Sequence, residues 1–174
     1  MTAATVLPDL NIQPGELYLA RTPAILRTIL GSCVSVTFFS AKLGAGALCH
    51  GVLPLAPRAW PLDFNLSDGF RYVDFSIRYL VQQFDSLGAF RRELEIKVFG
   101  GADVLPGANR VDRPTVGALN RRIALQVLAE EGLNVIASDL GGTRGRRIHF
   151  HTGTGQVLVY KLDAWNLSGE STQP

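Results

Sequence analysis

Cys33-Val34-Ser35-Val36-Thr37-Phe38-Phe39, followed after a short turn by Gly46-Ala47-Leu48-Cys49-His50-Gly51-Val52-Leu53, is the stretch on which the reading of this chain rests. The first segment is β-branched and aromatic and only partly alternating, and reads as a buried strand. The second is an apolar run that stops at Pro54, and a turn around Lys42 to Gly44 makes the two neighbours in one sheet. Further strands are expected over Glu16–Ala20, Ala24–Leu30, Glu93–Phe99, Leu133–Ser138, Arg146–His151 and Gln156–Leu162. The last two, separated by Thr152-Gly153-Thr154-Gly155, read as an antiparallel hairpin.

Two helices interrupt the strands. Phe70, Val73, Ile77, Leu80, Val81 and Phe84 recur at helical spacing, with Asp68 as the expected N-cap and Gly88 as the stop. The second runs from about Val116 to Glu131, with Val116, Leu119, Ile123, Val127 and Leu128 on one face, capped by Thr115 and ended by Gly132. Two helices among seven or eight strands predict an α+β sandwich, mostly antiparallel, with both helices on one face of a sheet.

Composition narrows the class. In 174 residues, 47% are hydrophobic and 18% charged, which suits one globular domain and is incompatible with a disordered chain. The expected organisation is a loose lead-in over residues 1–15, a single domain over 16–166 and a polar tail over 167–174. Mean hydropathy is +0.16, yet no apolar run reaches the roughly 18 residues of a membrane span. The first residues carry no basic leader followed by an apolar core, so a cytoplasmic protein that is not membrane-inserted is expected. A net charge of +2 is no argument for nucleic acid, and no aromatic residues interleave the basic ones as RNA binding would require. The basic residues are 14 Arg against 3 Lys. Arg110, Arg113, Arg121, Arg122, Arg144, Arg146 and Arg147 are candidates for a patch facing an acidic protein, since Arg pairs with carboxylates bidentately.

Chemistry points to the opening stretch. Cys33 follows Gly31-Ser32 at the mouth of a strand, where Gly31 lets the chain bend and leaves room for a substrate. A thiol becomes a nucleophile when a base accepts its proton, and His50 is the natural base. Thr28 or Ser32 offers an oxygen to orient the imidazole. The spacing equally admits a packed thiol beside a core histidine, because free cysteine is among the most buried residue types. Cys49, wedged between Leu48 and His50, reads as packing. His149 and His151 share one strand face but find no further ligand pair, so no metal is expected. Gly100-Gly101 and Gly141-Gly142-Thr143-Arg144-Gly145 fit neither a dinucleotide fingerprint nor a phosphate loop, so no cofactor is expected and tight turns rimming a site are.

Five motifs in this order resemble the CheD family of chemoreceptor glutamine deamidases: Leu30-Gly31-Ser32-Cys33-Val34, Cys49-His50-Gly51-Val52-Leu53-Pro54, Lys97-Val98-Phe99-Gly100-Gly101-Ala102, Asp139-Leu140-Gly141-Gly142 and Gly145-Arg146-Arg147-Ile148. The resemblance covers about Gly15 to Leu162. It implies an α/β/β sandwich and a Cys–His–Thr site with Cys33 as nucleophile, His50 as general base and acid, and Thr28 as the orienting residue. It also implies hydrolysis of receptor glutamine amides to glutamate through a thioester, with Gly31 and Ser32 at the oxyanion and substrate approach. The partner implied is the cytoplasmic domain of a methyl-accepting chemoreceptor, together with a CheC-type phosphatase. Two other readings stand beside it: a non-catalytic regulatory subunit of that phosphatase, and a receptor methyl-ester hydrolase using the same dyad.

Overall fold

A computed structural model of the chain describes residues 6–104 and 113–163. Nine strands form two sheets: β1 (Asp9–Asn11), β2 (Leu17–Ala20), β3 (Ile25–Leu30), β4 (Val34–Ser40), β5 (Ala45–Gly51), β6 (Glu95–Gly100), β7 (Val135–Leu140), β8 (Arg146–His151) and β9 (Val157–Lys161). One sheet has the order β2-β5-β4-β6-β7 and the other β1-β3-β8-β9. Every pairing is antiparallel except β1 with β3 and β6 with β7. Helices α2 (Val73–Ser86) and α3 (Val116–Glu130) pack on the five-stranded sheet, and the four-stranded sheet covers its other face. The expected α+β sandwich is thus a three-layer stack of helices, sheet and sheet.

Strands β4 and β5 are the middle layer, and all seven residues of each are buried. Being covered on both sides, they need no polar face, which is why their sequences read as near-continuous apolar runs. Alternate residues divide between two cores. Val34, Val36, Phe38, Ala47 and Cys49 pack with Ile77, Leu80, Phe84, Ile123 and Leu128 under the helices. Phe39, Leu48 and Cys33 pack with Leu26, Leu30, Ile148 and Phe150 between the sheets.

Several boundaries differ from expectation. Asp68 does not cap the long helix. It closes a capping box with Asn65 at the start of α1 (Leu66–Gly69), and Tyr72 precedes α2 without a side-chain cap. Gly88 and Gly132 do end α2 and α3 with positive φ, and Thr115 Oγ1 accepts the Ala118 N–H at 3.0 Å. The buried stripe of α3 is Gly117, Asn120, Ile123, Ala124, Val127 and Leu128, while Val116 is exposed. Of the stretch expected as a loose lead-in, Asp9–Asn11 instead forms a parallel strand on β3, and Ile12 is buried. A strand of three residues carries too little periodicity to be seen in sequence. The tail at 167–174 and Arg110 lie outside the described residues.

Candidate active site

At one end of the sandwich β3 runs into a turn, Gly31 to Cys33, that carries the chain from one sheet to the other. The β4–β5 ladder ends there, with Ser35 opposite His50 and Val34 opposite Gly51. Side chains alternate across a strand, so Cys33 and Ser35 share a face with His50, and Cys33 is its diagonal neighbour. That face is the space between the sheets. Thr28 reaches it from the opposing sheet, its side chain inward like those of Leu26 and Leu30. Cys49 is one residue from His50 and therefore points the other way, into the helix-covered core, where its Sγ sits 3.8 Å from the Val36 carbonyl oxygen.

The hydrogen bonds around His50 determine its tautomer. Thr28 Oγ1 lies 2.7 Å from the Ile12 carbonyl oxygen and 2.7 Å from His50 Nδ1. A carbonyl only accepts, so the single hydroxyl proton of Thr28 goes to Ile12. The hydroxyl oxygen must then accept from His50, which places the imidazole proton on Nδ1 and leaves Nε2 as a bare lone pair. Nε2 is buried and has no partner among the described residues. The backbone of His50 is clamped as well: its N–H donates to the Glu16 carbonyl and its carbonyl accepts from Gly15 N–H, both at 2.9 Å.

Burial sets the charge states. His50 is 1% exposed, and desolvation pushes its pKa down from 6.5 to about 4 against the opposing pull of the Ile12 carbonyl and the Glu16 charge. Desolvation likewise pushes the Cys33 thiol up, with its own backbone N–H pulling it partly back. The pair therefore rests as neutral thiol and neutral imidazole at pH 7. Cys33 is part-exposed, so the thiol stands at the mouth and the imidazole behind it. Cys49, fully enclosed, is pushed up to about 11 and is no thiolate at neutral pH.

The three carbonyls of the Gly31–Cys33 turn are all held from behind. Gly31 O accepts from Ala102 N–H at 2.8 Å, and Cys33 O from Gly101 N–H at 2.7 Å. Ser32 O accepts from Asn120 Nδ2 at 2.9 Å. Gly100, with φ of 105°, lies so close that an added Cβ would overlap the Cys33 carbonyl oxygen. Gly100 O in turn accepts from Gly141 N–H, and Gly142 O from Asp103 N–H. Arg146 is 0% exposed, paired with Asp139 and donating to the Gly141 carbonyl. The glycine-rich segments expected to rim a site thus form its rear wall.

Arg146 is therefore not the surface cation expected of it. A guanidinium with no access to water is tolerated here because the Asp139 carboxylate and three backbone carbonyls, those of Asp139, Gly141 and Arg144, accept from its terminal nitrogens. Arg121 pairs with Asp103, Arg144 with Asp163, and Arg147 lies on the outer face of the four-stranded sheet. Gly31 turns without positive φ, and a Cβ there would rest at 3.4 Å from Val104 rather than in open space. His149 lies against Tyr160, ring centroids 5.0 Å apart and tilted by 54°, and among the described residues no group of three His, Cys, Asp or Glu side chains could hold a metal. Asn120 and the Ile12 carbonyl were missed in the sequence. Asn120 had a signal, a polar residue on the apolar stripe of a helix; a backbone carbonyl has none.

A family model described as CheD chemotactic sensory transduction matches residues 57–161, the part of the chain that builds this rear wall. The chain is 48% identical over 157 residues to a probable chemoreceptor glutamine deamidase CheD 2 of Geobacter sulfurreducens, covering 90% of this chain and 92% of that one. An alignment of that length in a chain of 174 residues spans Thr28 to His50. It is 38% identical over 161 residues to the corresponding protein of Ralstonia nicotianae, covering 92% of this chain and 66% of that one. A Rhodospirillum rubrum protein of the same description is 37% identical over 158 residues, covering 91% and 85%.

Proposed function

The chain belongs to the CheD family, and from that premise we propose that it is a chemoreceptor glutamine deamidase in which Cys33 is the nucleophile, His50 the acid–base residue and Thr28 the residue that orients the imidazole. One observation carries the assignment of roles. Because the Thr28 proton is committed to Ile12, the imidazole keeps its proton on Nδ1 and offers a bare Nε2 toward the face that Cys33 shares.

The chemistry follows from that arrangement. Nε2 takes the Sγ proton as sulfur attacks the carboxamide carbon of a receptor glutamine, so no resting thiolate is needed. The carbonyl oxygen becomes an oxyanion as the C–S bond forms. The backbone N–H of Cys33 is its donor, since neither Ser32 N–H nor Cys33 N–H is used in a backbone hydrogen bond among the described residues. The imidazolium then gives its proton to the departing nitrogen, the C–N bond breaks, and ammonia leaves a thioester. Water, deprotonated by the same Nε2, attacks the thioester carbon and releases glutamate and the thiol. Proton delivery to nitrogen matters because an amide expels an amide anion with difficulty, and general acid–base help of this kind is worth about 10²–10⁴-fold.

The receptor's cytoplasmic domain is the substrate on this reading, and a CheC-type phosphatase is the further partner suggested by the family. The Thr28–His50 hydrogen bond, made on the strand face that Cys33 shares, favours a catalytic chain over a purely regulatory one. The test is peptide mapping by mass of a receptor cytoplasmic fragment after incubation with the wild type and with Cys33→Ala, His50→Ala and Cys49→Ala. Conversion of glutamine to glutamate is expected from the wild type and Cys49→Ala only. Conversion that survives Cys33→Ala refutes the assignment. An ester analogue run beside the amide tests the methyl-ester hydrolase alternative.

A further inference from the structure

Asn120 joins the two segments that carry the proposed dyad. It is 0% exposed, projects from the second turn of α3, and donates both Nδ2 protons to backbone carbonyls: Ser32 O at 2.9 Å and Val52 O at 3.0 Å. Oδ1 is buried without a partner. The opposite orientation of the amide would set an oxygen against two carbonyl oxygens, so the donor assignment is chemically forced. An unsatisfied buried acceptor is retained in order that two donors reach these two carbonyls, which calls for a reason.

The reason lies in where the sheet stops. The β4–β5 ladder runs unbroken from Ser40 opposite Ala45 to Val34 opposite Gly51. Because His50 bonds on the β2 side, Val34 and Gly51 are a hydrogen-bonded pair, and the next such pair in register would be Ser32 with Leu53. Instead the N–H groups of Leu53 and Val52 both turn to Arg71 O, and the Asn120 amide takes the place of the Leu53 donor on Ser32 O. In a trans peptide the C=O and N–H point in opposite directions. Holding Ser32 O toward α3 therefore aims the Cys33 N–H away from α3. Among the described residues that N–H has no partner other than the thiol of its own residue.

We infer that Asn120 is a positioning residue of the deamidation reaction: it takes the place of a strand donor on Ser32 O and so aims the N–H of the same peptide, that of Cys33, at the developing oxyanion. The inference rests on Cys33 being the nucleophile. It concerns the transition state and not thiol reactivity, and this separates it from a merely structural role. Alkylation of Cys33 by iodoacetamide is a displacement at sp³ carbon with no oxyanion to stabilise, whereas amide hydrolysis develops one.

The experiment uses full-length wild type, Asn120→Ala and Asn120→Ser, with kcat and KM for a receptor fragment, the iodoacetamide rate at Cys33, and circular dichroism to establish folding. Removal of one oxyanion donor lowers kcat about 10²–10³-fold, and a donor no longer held in place is expected near the lower end, about 10²-fold, with KM and the alkylation rate within about threefold of wild type. A folded variant with wild-type kcat overturns the inference. So does a parallel fall in kcat and alkylation, which marks collapse of the turn. Should both variants fail to fold, the wild type supplies the test: an aldehyde in place of the glutamine carboxamide adds to the thiol, and the Cys33 amide proton is expected to move downfield. No shift overturns the inference. Activity that survives Cys33→Ala instead refutes the underlying assignment of the nucleophile.

Discussion

Replacing Thr28 with valine removes one hydroxyl and almost no volume. The side chain is buried at 1% exposure, so no cavity opens and no water replaces the lost oxygen. Two hydrogen bonds of 2.7 Å vanish together, leaving the Ile12 carbonyl and the His50 Nδ1 proton unpaired. Each stranded group costs about 1–3 kcal/mol, so Thr28→Val is expected to lower unfolding stability by about 2–6 kcal/mol. The catalytic loss has a separate origin. Once Nδ1 has no acceptor, the proton is free to reside on Nε2, and a protonated Nε2 cannot take the thiol proton. Losing about 1–3 kcal/mol of preference for the working tautomer corresponds to about 5- to 150-fold in kcat/KM. Thr28→Ser keeps the hydroxyl and loses a methyl group, and is expected to stay within about fivefold of wild-type activity at a cost near 1 kcal/mol. The assay pairs glutamine-to-glutamate conversion with urea unfolding, and ¹⁵N NMR of His50 reports the tautomer directly. A valine variant with wild-type kcat/KM, or a serine variant as impaired as valine, refutes the tautomer reasoning.

Burial of His50 predicts an acid limb of kcat/KM with its midpoint near pH 4 rather than near 6.5, and a flat profile through neutrality because the thiol is pushed up; a midpoint near 6.5 in a pH–rate series counts against it. The same displacement has a stability sign. The folded pKa lies below the unfolded one, so its contribution is fully present above pH 6.5 and is lost as pH falls toward 4, by about 3 kcal/mol at most, and His50→Gln is expected to flatten that part of the unfolding-versus-pH curve. Cys49→Ala is expected to keep wild-type activity and to lose about 1–2 kcal/mol of stability in urea unfolding, because its thiol packs under the helices on the far side of the strand from His50. Gly100→Ala is expected to lose activity about 10²-fold or more, since φ of 105° and the overlap with Cys33 O force the turn to move and misplacements near 1 Å cost that much; a wild-type rate in this variant argues against the rear wall as the support of Cys33.

The elements were legible where they are long and their chemistry is local. Strand β4, helices α2 and α3 and the β8–β9 hairpin follow from apolar spacing, turn glycines and a Thr115 cap, all of which act between residues a few positions apart. The opposition of Cys49 and His50 was also implicit, because neighbouring residues in a strand face opposite sides whatever surrounds them. Cys33, His50 and Thr28 could be named as candidates from residue type and from the family motifs.

What brings these candidates together came only from the stacking of the layers. Thr28 and His50 sit on different sheets, and no spacing along the chain states that β3 faces β5 across the sandwich. The tautomer of His50 depends on a carbonyl of Ile12, and the direction of the Cys33 N–H depends on an amide of Asn120, 88 positions from the carbonyl it holds. Arg146 was read as surface charge because arginine usually is, and only the fold shows it enclosed with Asp139. Side-chain periodicity is a property of neighbouring residues and is written in the sequence. Hydrogen bonds to backbone carbonyls across layers are made by whichever groups the packed chain brings together, and they exist only once it has folded.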